Sequence, residues 1–167
     1  MAEEKANKPT PRQGRPHISA DYGIDPANEV AMLPWSWLSE QMEKSRSYWV
    51  STTRPDGKPH AMPVWGVWIE DEFYFSTGRN SRKGRNLAAN PEIAIHLESG
   101  DEVVIFEGTV EEFTNPDFFA HFAEVYNTKY SFKPEQAPGN VYYKLIPRVA
   151  FCWLESDFVN SATRWSF

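Results

Sequence analysis

Cysteine is nearly absent. The 167-residue chain has one, Cys152, so no disulfide can form within it. A lone thiol suits a reducing compartment, and the chain is expected to be cytoplasmic. No apolar run approaches the roughly 20 residues that a membrane-spanning helix needs. The opening Met1-Ala2-Glu3-Glu4-Lys5 holds no apolar signal core, so secretion is not expected. Positive charge is also short: 17 Lys and Arg stand against 23 Asp and Glu, a formal net charge of −6. An acidic surface repels nucleic acid and anionic membranes, and neither is expected as a partner. The four histidines, His17, His60, His96 and His121, are scattered without a paired spacing, so no metal site is expected. There is no G-x-S-x-G elbow, Walker loop or G-x-G-x-x-G fingerprint.

What is abundant is aromatic. Seven Trp in a chain with 15% aromatic residues exceed what a core of this size requires. Some are expected to line a ligand site or a subunit interface, and others to fill the core. Residues 1–15 carry four cations and two prolines with almost nothing apolar, and read as a disordered tail. Residues 16–167 read as one domain. Trp35, Leu38 and Met42 give a helical stripe over residues 33–44, with Pro34 at its start and Ser36 as its cap. Period-two strands are expected over residues 48–53, 60–68 and 72–77, the first two joined by the turn Pro55-Asp56-Gly57. A short helix over 81–89 stops at Asn90-Pro91. Strands at 93–97 and 103–113 form a hairpin, an amphipathic helix covers 116–126, and late strands cover 142–146 and 149–154. Strand follows strand through tight turns, which means antiparallel pairing. The fold class is mainly β: a six-stranded antiparallel split β-barrel with short peripheral helices.

Arg79, Arg82, Lys83 and Arg85 crowd into seven positions, and no Lys or Arg follows until Lys129. Arg82 and Lys83 fall in the first turn of the short helix, where cations are unfavourable by roughly 0.3–1 kcal/mol each. A bound phosphate would offset that cost, since free N–H groups, the helix dipole and the cations converge on it. Ser76, Thr77 and Ser81 add hydroxyls, and Gly78 permits a tight turn. The alternative is a solvated basic patch paired with carboxylates elsewhere. Cys152, between Phe151 and Trp153, reads as an inert core thiol.

Ser81-Arg82-Lys83-Gly84, then Asn90-Pro91, then Phe106-Glu107-Gly108-Thr109-Val110-Glu111 resemble the core signature of the pyridoxine 5′-phosphate oxidase-like split-barrel superfamily. The stretch from Arg54 to Trp68 and the ending Ala162-Thr163-Arg164-Trp165-Ser166-Phe167 are similar to its B-type flavin/deazaflavin oxidoreductases. The resemblance implies that Ser76, Thr77, Ser81, Arg82 and Lys83 meet a cofactor phosphate. It implies that Met62, Pro63, Val64 and Trp65 lie along the cofactor ring. Trp153 and Arg164 resemble late residues that reach the cofactor or substrate from a partner subunit. Core packing explains Met62, Trp65 and Trp153 equally well, and a surface cation explains Arg164. Two cations that the oxidase uses are replaced here by Ala61 and Gly66, which favours the deazaflavin coenzyme F420, with FMN as the alternative. The implied function is hydride transfer between that cofactor and a small conjugated substrate, in a homodimer with sites at the subunit interface. A reading of another class is a carrier or sensor of a cofactor or tetrapyrrole without turnover.

Overall fold

The computed structural model describes residues 11–167. The elements in chain order are Arg12–Gly14 (β1), Trp35–Lys44 (α1), Tyr48–Thr53 (β2), Pro59–Val64 (β3), Gly66–Ile69 (β4), Glu72–Gly78 (β5), Arg82–Ala89 (α2), Glu92–His96 (β6), Glu102–Glu112 (β7), Pro116–Tyr130 (α3), Asn140–Leu154 (β8), Phe158–Ser161 (α4) and Thr163–Ser166 (β9). Every strand pair is antiparallel.

β3 and β4 are one line of chain bent at Trp65. The first half pairs with β2, from Tyr48↔Val64 to Thr53↔Pro59. The second half pairs with β5, from Gly66↔Phe75 to Ile69↔Glu72. Counted as one bent strand, it completes a circuit through β5, β8, β7, β6 and β2. That circuit is the expected six-stranded split barrel, with β1 and β9 added beside β8. The hydrogen-bonded sheet is not closed, because β3 and β4 meet through the covalent chain and through no ladder.

The main core fills the barrel with Tyr48, Val50, Phe73, Phe75, Ile95, Val104, Phe106 and Leu145. α3 packs outside it, burying Phe122, Tyr126 and Tyr130 against Val67, Ile69, Tyr74 and Tyr142. β4 is therefore buried on both faces, which explains why Gly66–Ile69 is a continuous apolar run instead of an alternating one.

Several boundaries differ from the expectations. Residues 60–68 are two strands because the partner changes at Trp65. Residues 142–146 and 149–154 are one strand. Pro147 is tolerated within it because β5 pairs only as far as Lys144 and β9 starts at Val149, so no donor is required on that edge. Next to it β8 bulges by one residue, Arg148, which is skipped between the pairs Glu107↔Val149 and Gly108↔Pro147. Ser36 does not cap α1; Pro34 occupies that place without a side-chain hydrogen bond. α3 runs four residues further, to Tyr130.

Of the expected disordered tail, residues 1–10 lie outside the described residues, and residues 12–15 are ordered. Arg12–Gly14 pairs with Arg164–Ser166. Arg15 is buried, and its guanidinium donates to the carbonyls of Asn28 (2.5 Å), Asn160 (2.5 Å) and Ala162 (2.9 Å). These long-range bonds order a segment whose composition offers no apolar burial. Arg15→Ala strands three carbonyls and is expected to lower stability by roughly 2–3 kcal/mol. Urea denaturation of the variant beside the parent chain measures this.

Candidate functional site

The turn from β5 into α2 begins at Gly78, whose carbonyl accepts from Ser81 N at 3.0 Å. Ser81 caps α2, its Oγ accepting from Gly84 N at 3.1 Å and lying 3.0 Å from Thr77 Oγ1. Thr77 is buried, Ser76 and Ser81 half-buried. The N–H groups of Arg82 and Lys83 have no acceptor among the described residues. The turn needs its glycine at Gly84, not at Gly78 as expected. A Cβ at Gly84 would lie 2.4 Å from Gly78 O and 2.7 Å from Arg79 O, whereas one at Gly78 would meet nothing closer than 3.9 Å.

The four cations of the turn separate by environment. Arg79 makes a bidentate pair with Glu112, at 3.1 and 3.0 Å, and its charge is thus matched within the chain. Arg82 and Arg85 are exposed. Lys83 is half-buried without a hydrogen-bonding or ion-pair partner among the described residues, and burial holds its ammonium below the usual lysine pKa.

β3 presents the second part of the site. Ala61, Met62, Pro63 and Trp65 are exposed, Met62 at 45% and Trp65 at 42%, large values for such apolar side chains. Val64, expected beside them, turns its side chain into the barrel core instead. Trp65 stacks on Tyr130 at 4.7 Å and 7° and lies 6.4 Å from Tyr126, which interacts with Ser76. α2 is tied to the same region, since Asn86 Nδ2 donates to Thr52 Oγ1 at 2.9 Å and Thr52 is paired with His60 at the start of β3. The exposed strand and the basic turn therefore converge on one side of the barrel.

Beneath Trp65, the bend is pinned from α3. The Tyr130 hydroxyl accepts from Gly66 N at 3.0 Å and lies 2.7 Å from Gly66 O. Lys129 Nζ donates to Tyr48 Oη (2.7 Å) and Gly66 O (3.2 Å). Burial, and then Arg46 nearby, push the Lys129 ammonium down to about 8, while burial pushes the Tyr126 and Tyr130 phenols up to about 12.

Trp153 and Arg164 are not part of this arrangement within one chain. Asn140 of β8 pairs with Gly78 beside the turn, and Trp153 lies at the other end of that strand, roughly 40 Å away along the chain at about 3.3 Å per residue. Trp153 packs edge-on against Phe158, and Arg164 hydrogen-bonds Ser166. Cys152 is buried, and burial pushes its thiol up to about 12, in keeping with an inert core residue. Among the described residues there is no cluster of metal-ligating side chains and no helix long and apolar enough to cross a membrane.

Compared with known proteins, the sequence model of the Pyridoxamine 5′-phosphate oxidase family matches residues 38–153. The chain belongs to that family. It is 35% identical over 79 residues to a pyridoxine/pyridoxamine 5′-phosphate oxidase of Nostoc sp., covering 46% of this chain and 37% of the relative. Across the first curated relatives it spans between 37% and 50% of their length. Among solved structures, it is similar in fold to a conserved hypothetical protein from Mycobacterium tuberculosis, with a TM-score of 0.66, 22% identity, and coverage of 76% of this chain and 89% of that one. It is also similar to an F420 reductase, with a TM-score of 0.52, 26% identity, and coverage of 66% and 94%.

In this pyridoxamine 5′-phosphate oxidase family member, position 66 has no room for a cation. A Cβ there would lie 2.5 Å from the Phe73 ring and 2.9 Å from Tyr74 O. Sequence reasoning missed Tyr130, Lys129 and Asn86. Tyr130 was accessible in principle, because Phe122, Tyr126 and Tyr130 continue one helical stripe past residue 126.

Gly84→Ala should cost on the order of 1–3 kcal/mol, because the added methyl meets the backbone carbonyls of Gly78 and Arg79; thermal unfolding tests this. The α3 cluster should give stability an unusual pH dependence. Between about 8 and 10.5 the unfolded chain holds more protons on Lys129 than the native state, so stability rises with pH there. Above 10 the native state holds more protons on Tyr126 and Tyr130, so stability falls toward 12. From about 9 to 12 the native state also holds more protons on Cys152, which offsets the Lys129 rise, so denaturation midpoints should climb from pH 8 to about 9 and fall beyond 10, and Lys129→Met should lose the rising limb.

Proposed function

We propose that this protein is an oxidoreductase that holds the phosphate of a deazaflavin or flavin cofactor at the β5–α2 turn, with the cofactor ring along Ala61–Trp65. Lys83 carries the reading. It is a partly desolvated ammonium without a partner among the described residues, beside two free amides, the Ser81 and Thr77 hydroxyls and an exposed apolar strand. A cation in that state is unfavourable until an anion joins it, and a phosphate suits the donor set. Arg82 adds long-range attraction from solvent.

Coenzyme F420 is the preferred cofactor and FMN the alternative. Support comes from the loss of cations at Ala61 and Gly66, the latter enforced by Phe73, and from the likeness to an F420 reductase. When bound, the cofactor supplies the hydride chemistry, directed at a small conjugated substrate. The chain's own residues bind and orient. Ser76, Thr77, Ser81, Arg82 and Lys83 fix the phosphate, and the Met62, Pro63 and Trp65 side chains with the Val64 backbone support the ring. Trp153 and Arg164 approach from the second subunit of a homodimer, since neither reaches the turn of its own chain.

Titration of the purified protein with F420 and with FMN tests the reading. F420 should bind more tightly, and Lys83→Ala should weaken it by on the order of 1–3 kcal/mol, whereas Arg79→Ala should change it by less than about 0.5 kcal/mol. Affinity should fall as pH rises through the Lys83 pKa, below the ordinary 10.5. Tight FMN binding without F420 affinity would reverse the cofactor assignment. No binding of either would remove the proposal.

A further inference from the structure

The pairing of β1 with β9 gathers positive charge at a second place. Its register sets Arg12 opposite Ser166 and Gly14 opposite Arg164. Paired residues, and those two apart on one strand, share a face of the sheet, so Arg12, Arg164 and Ser166 stand together. Trp165, between the last two, turns the other way into the barrel core. Arg12 and Arg164 are diagonal neighbours, roughly 7–8 Å apart at the backbone, and side chains this long can reach one ligand from there. Gly14 sets no side chain against Arg164, and a Cβ there would meet nothing within 4 Å. A cavity of about 370 Å³ opens here, and Arg12, Arg15, His17, Glu29, Arg164 and Ser166 help to line it.

None of the three guanidiniums makes an ion pair among the described residues. Arg15 is only 8% exposed. Three carbonyls occupy its Nε and Nη1 donors, while its Nη2 makes no hydrogen bond among the described residues. Carbonyls satisfy donors without cancelling a charge, and a buried charge that lacks a counter-charge is costly. Arg12 is exposed, and half-buried Arg164 donates to the Ser166 hydroxyl alone. Glu29 is the one carboxylate lining the cavity, which leaves an excess of two positive charges in a chain whose net charge is −6. An entering anion would be attracted by all three guanidiniums, and their planar forks match the oxygens of a phosphate or a carboxylate.

Within one chain this cavity is separate from the phosphate turn. Arg164 pairs with Phe151 and Gly78 pairs with Asn140, so eleven positions of β8 lie between them, roughly 36 Å at about 3.3 Å per residue. We infer that the β1–β9 cavity is a second binding site, one for a small organic dianion whose oxygens are gripped by Arg12 and Arg164 beside the buried charge of Arg15. A phosphate monoester and a dicarboxylate share this chemistry. The volume admits more than a bare ion and falls within the range of small-molecule pockets. The site goes beyond the proposed cofactor reading, which uses neither Arg12 nor Arg15.

The test is calorimetric titration at pH 8 of the full chain carrying Lys83→Ala, so that the phosphate turn contributes little. Phenyl phosphate and phthalate, both dianions, are compared with the monoanion methyl phenyl phosphate. At least one dianion should bind about ten-fold more tightly than the monoanion, and the tighter of the two names phosphate or dicarboxylate chemistry. Adding Arg12→Gln, on an exposed edge strand where the fold is spared, should weaken dianion binding about ten-fold. Adding Glu29→Gln should strengthen it several-fold. In the chain with Lys83 intact, Arg12→Gln should leave the affinities for F420 and FMN unchanged. No preference for dianions, no dianion binding once Lys83 is replaced, or undiminished binding in Arg12→Gln would overturn the inference and leave the cofactor reading standing. A matching loss of cofactor affinity in Arg12→Gln would also overturn it, by making the cavity part of the cofactor site.

Discussion

The Tyr130 hydroxyl meets the N–H of Gly66 and lies within hydrogen-bonding distance of its carbonyl, and much of the site's geometry descends from that contact. A buried strand that changes partners must leave backbone groups without a ladder, at about 1–3 kcal/mol for each one unsatisfied. Here one side chain from α3 covers both, with Lys129 adding a donor to the carbonyl. The bend can therefore be sharp. It throws Trp65 outward onto Tyr130 and keeps Gly66 close against Phe73. It also sets the exposed face of β3 beside Ser76 through Tyr126.

At the turn itself, magnitudes separate four cations that look alike in the sequence. Exposed Arg82 and Arg85 are screened by water and salt, so their proximity to a helix N-terminus costs little. Arg79 is matched by Glu112. Only Lys83 combines partial burial with the absence of a partner among the described residues, so a bound anion would relieve most at that residue. The two free amides of Arg82 and Lys83 point to the same place, because Ser81 caps Gly84 N and leaves them open.

Local chemistry made much of this legible in advance. Pro55-Asp56-Gly57 does turn, with Gly57 at φ 79°, and Ser81 does begin the helix that follows the basic run. The features that were not legible depend on distant residues. Arg-Gln-Gly at 12–14 has no strand character of its own and is ordered by a partner some 150 positions away. Arg15 looks like any tail cation until three carbonyls from two remote segments surround it. The bend at Trp65 is invisible in a strand-like run, because the change of neighbours and not the residue type creates it. Which cation of the turn lies buried depends on how α2 docks, through Asn86 on Thr52, and no count of charges reveals that.

β8 connects the regions that these arguments treat separately. Its first residue pairs with Gly78 at the basic turn, and its last third pairs with β9, which carries Arg164 and Trp165. Side chains on a strand alternate faces, so a slip of one residue would turn every one of these inside out. The bulge in β8 opposes this by taking up one extra residue, Arg148, at a defined point across from Glu107/Gly108 and directly after Pro147, where β8 lacks an N–H. Proline and bulge together set the register on both sides of the split. The same device keeps Trp165 packed in the barrel core while Arg164, its neighbour, remains on the other face. The basic turn and the strand that carries Arg164 can thus be held at opposite ends of one 15-residue strand, because its register is fixed near its middle and holds toward both ends.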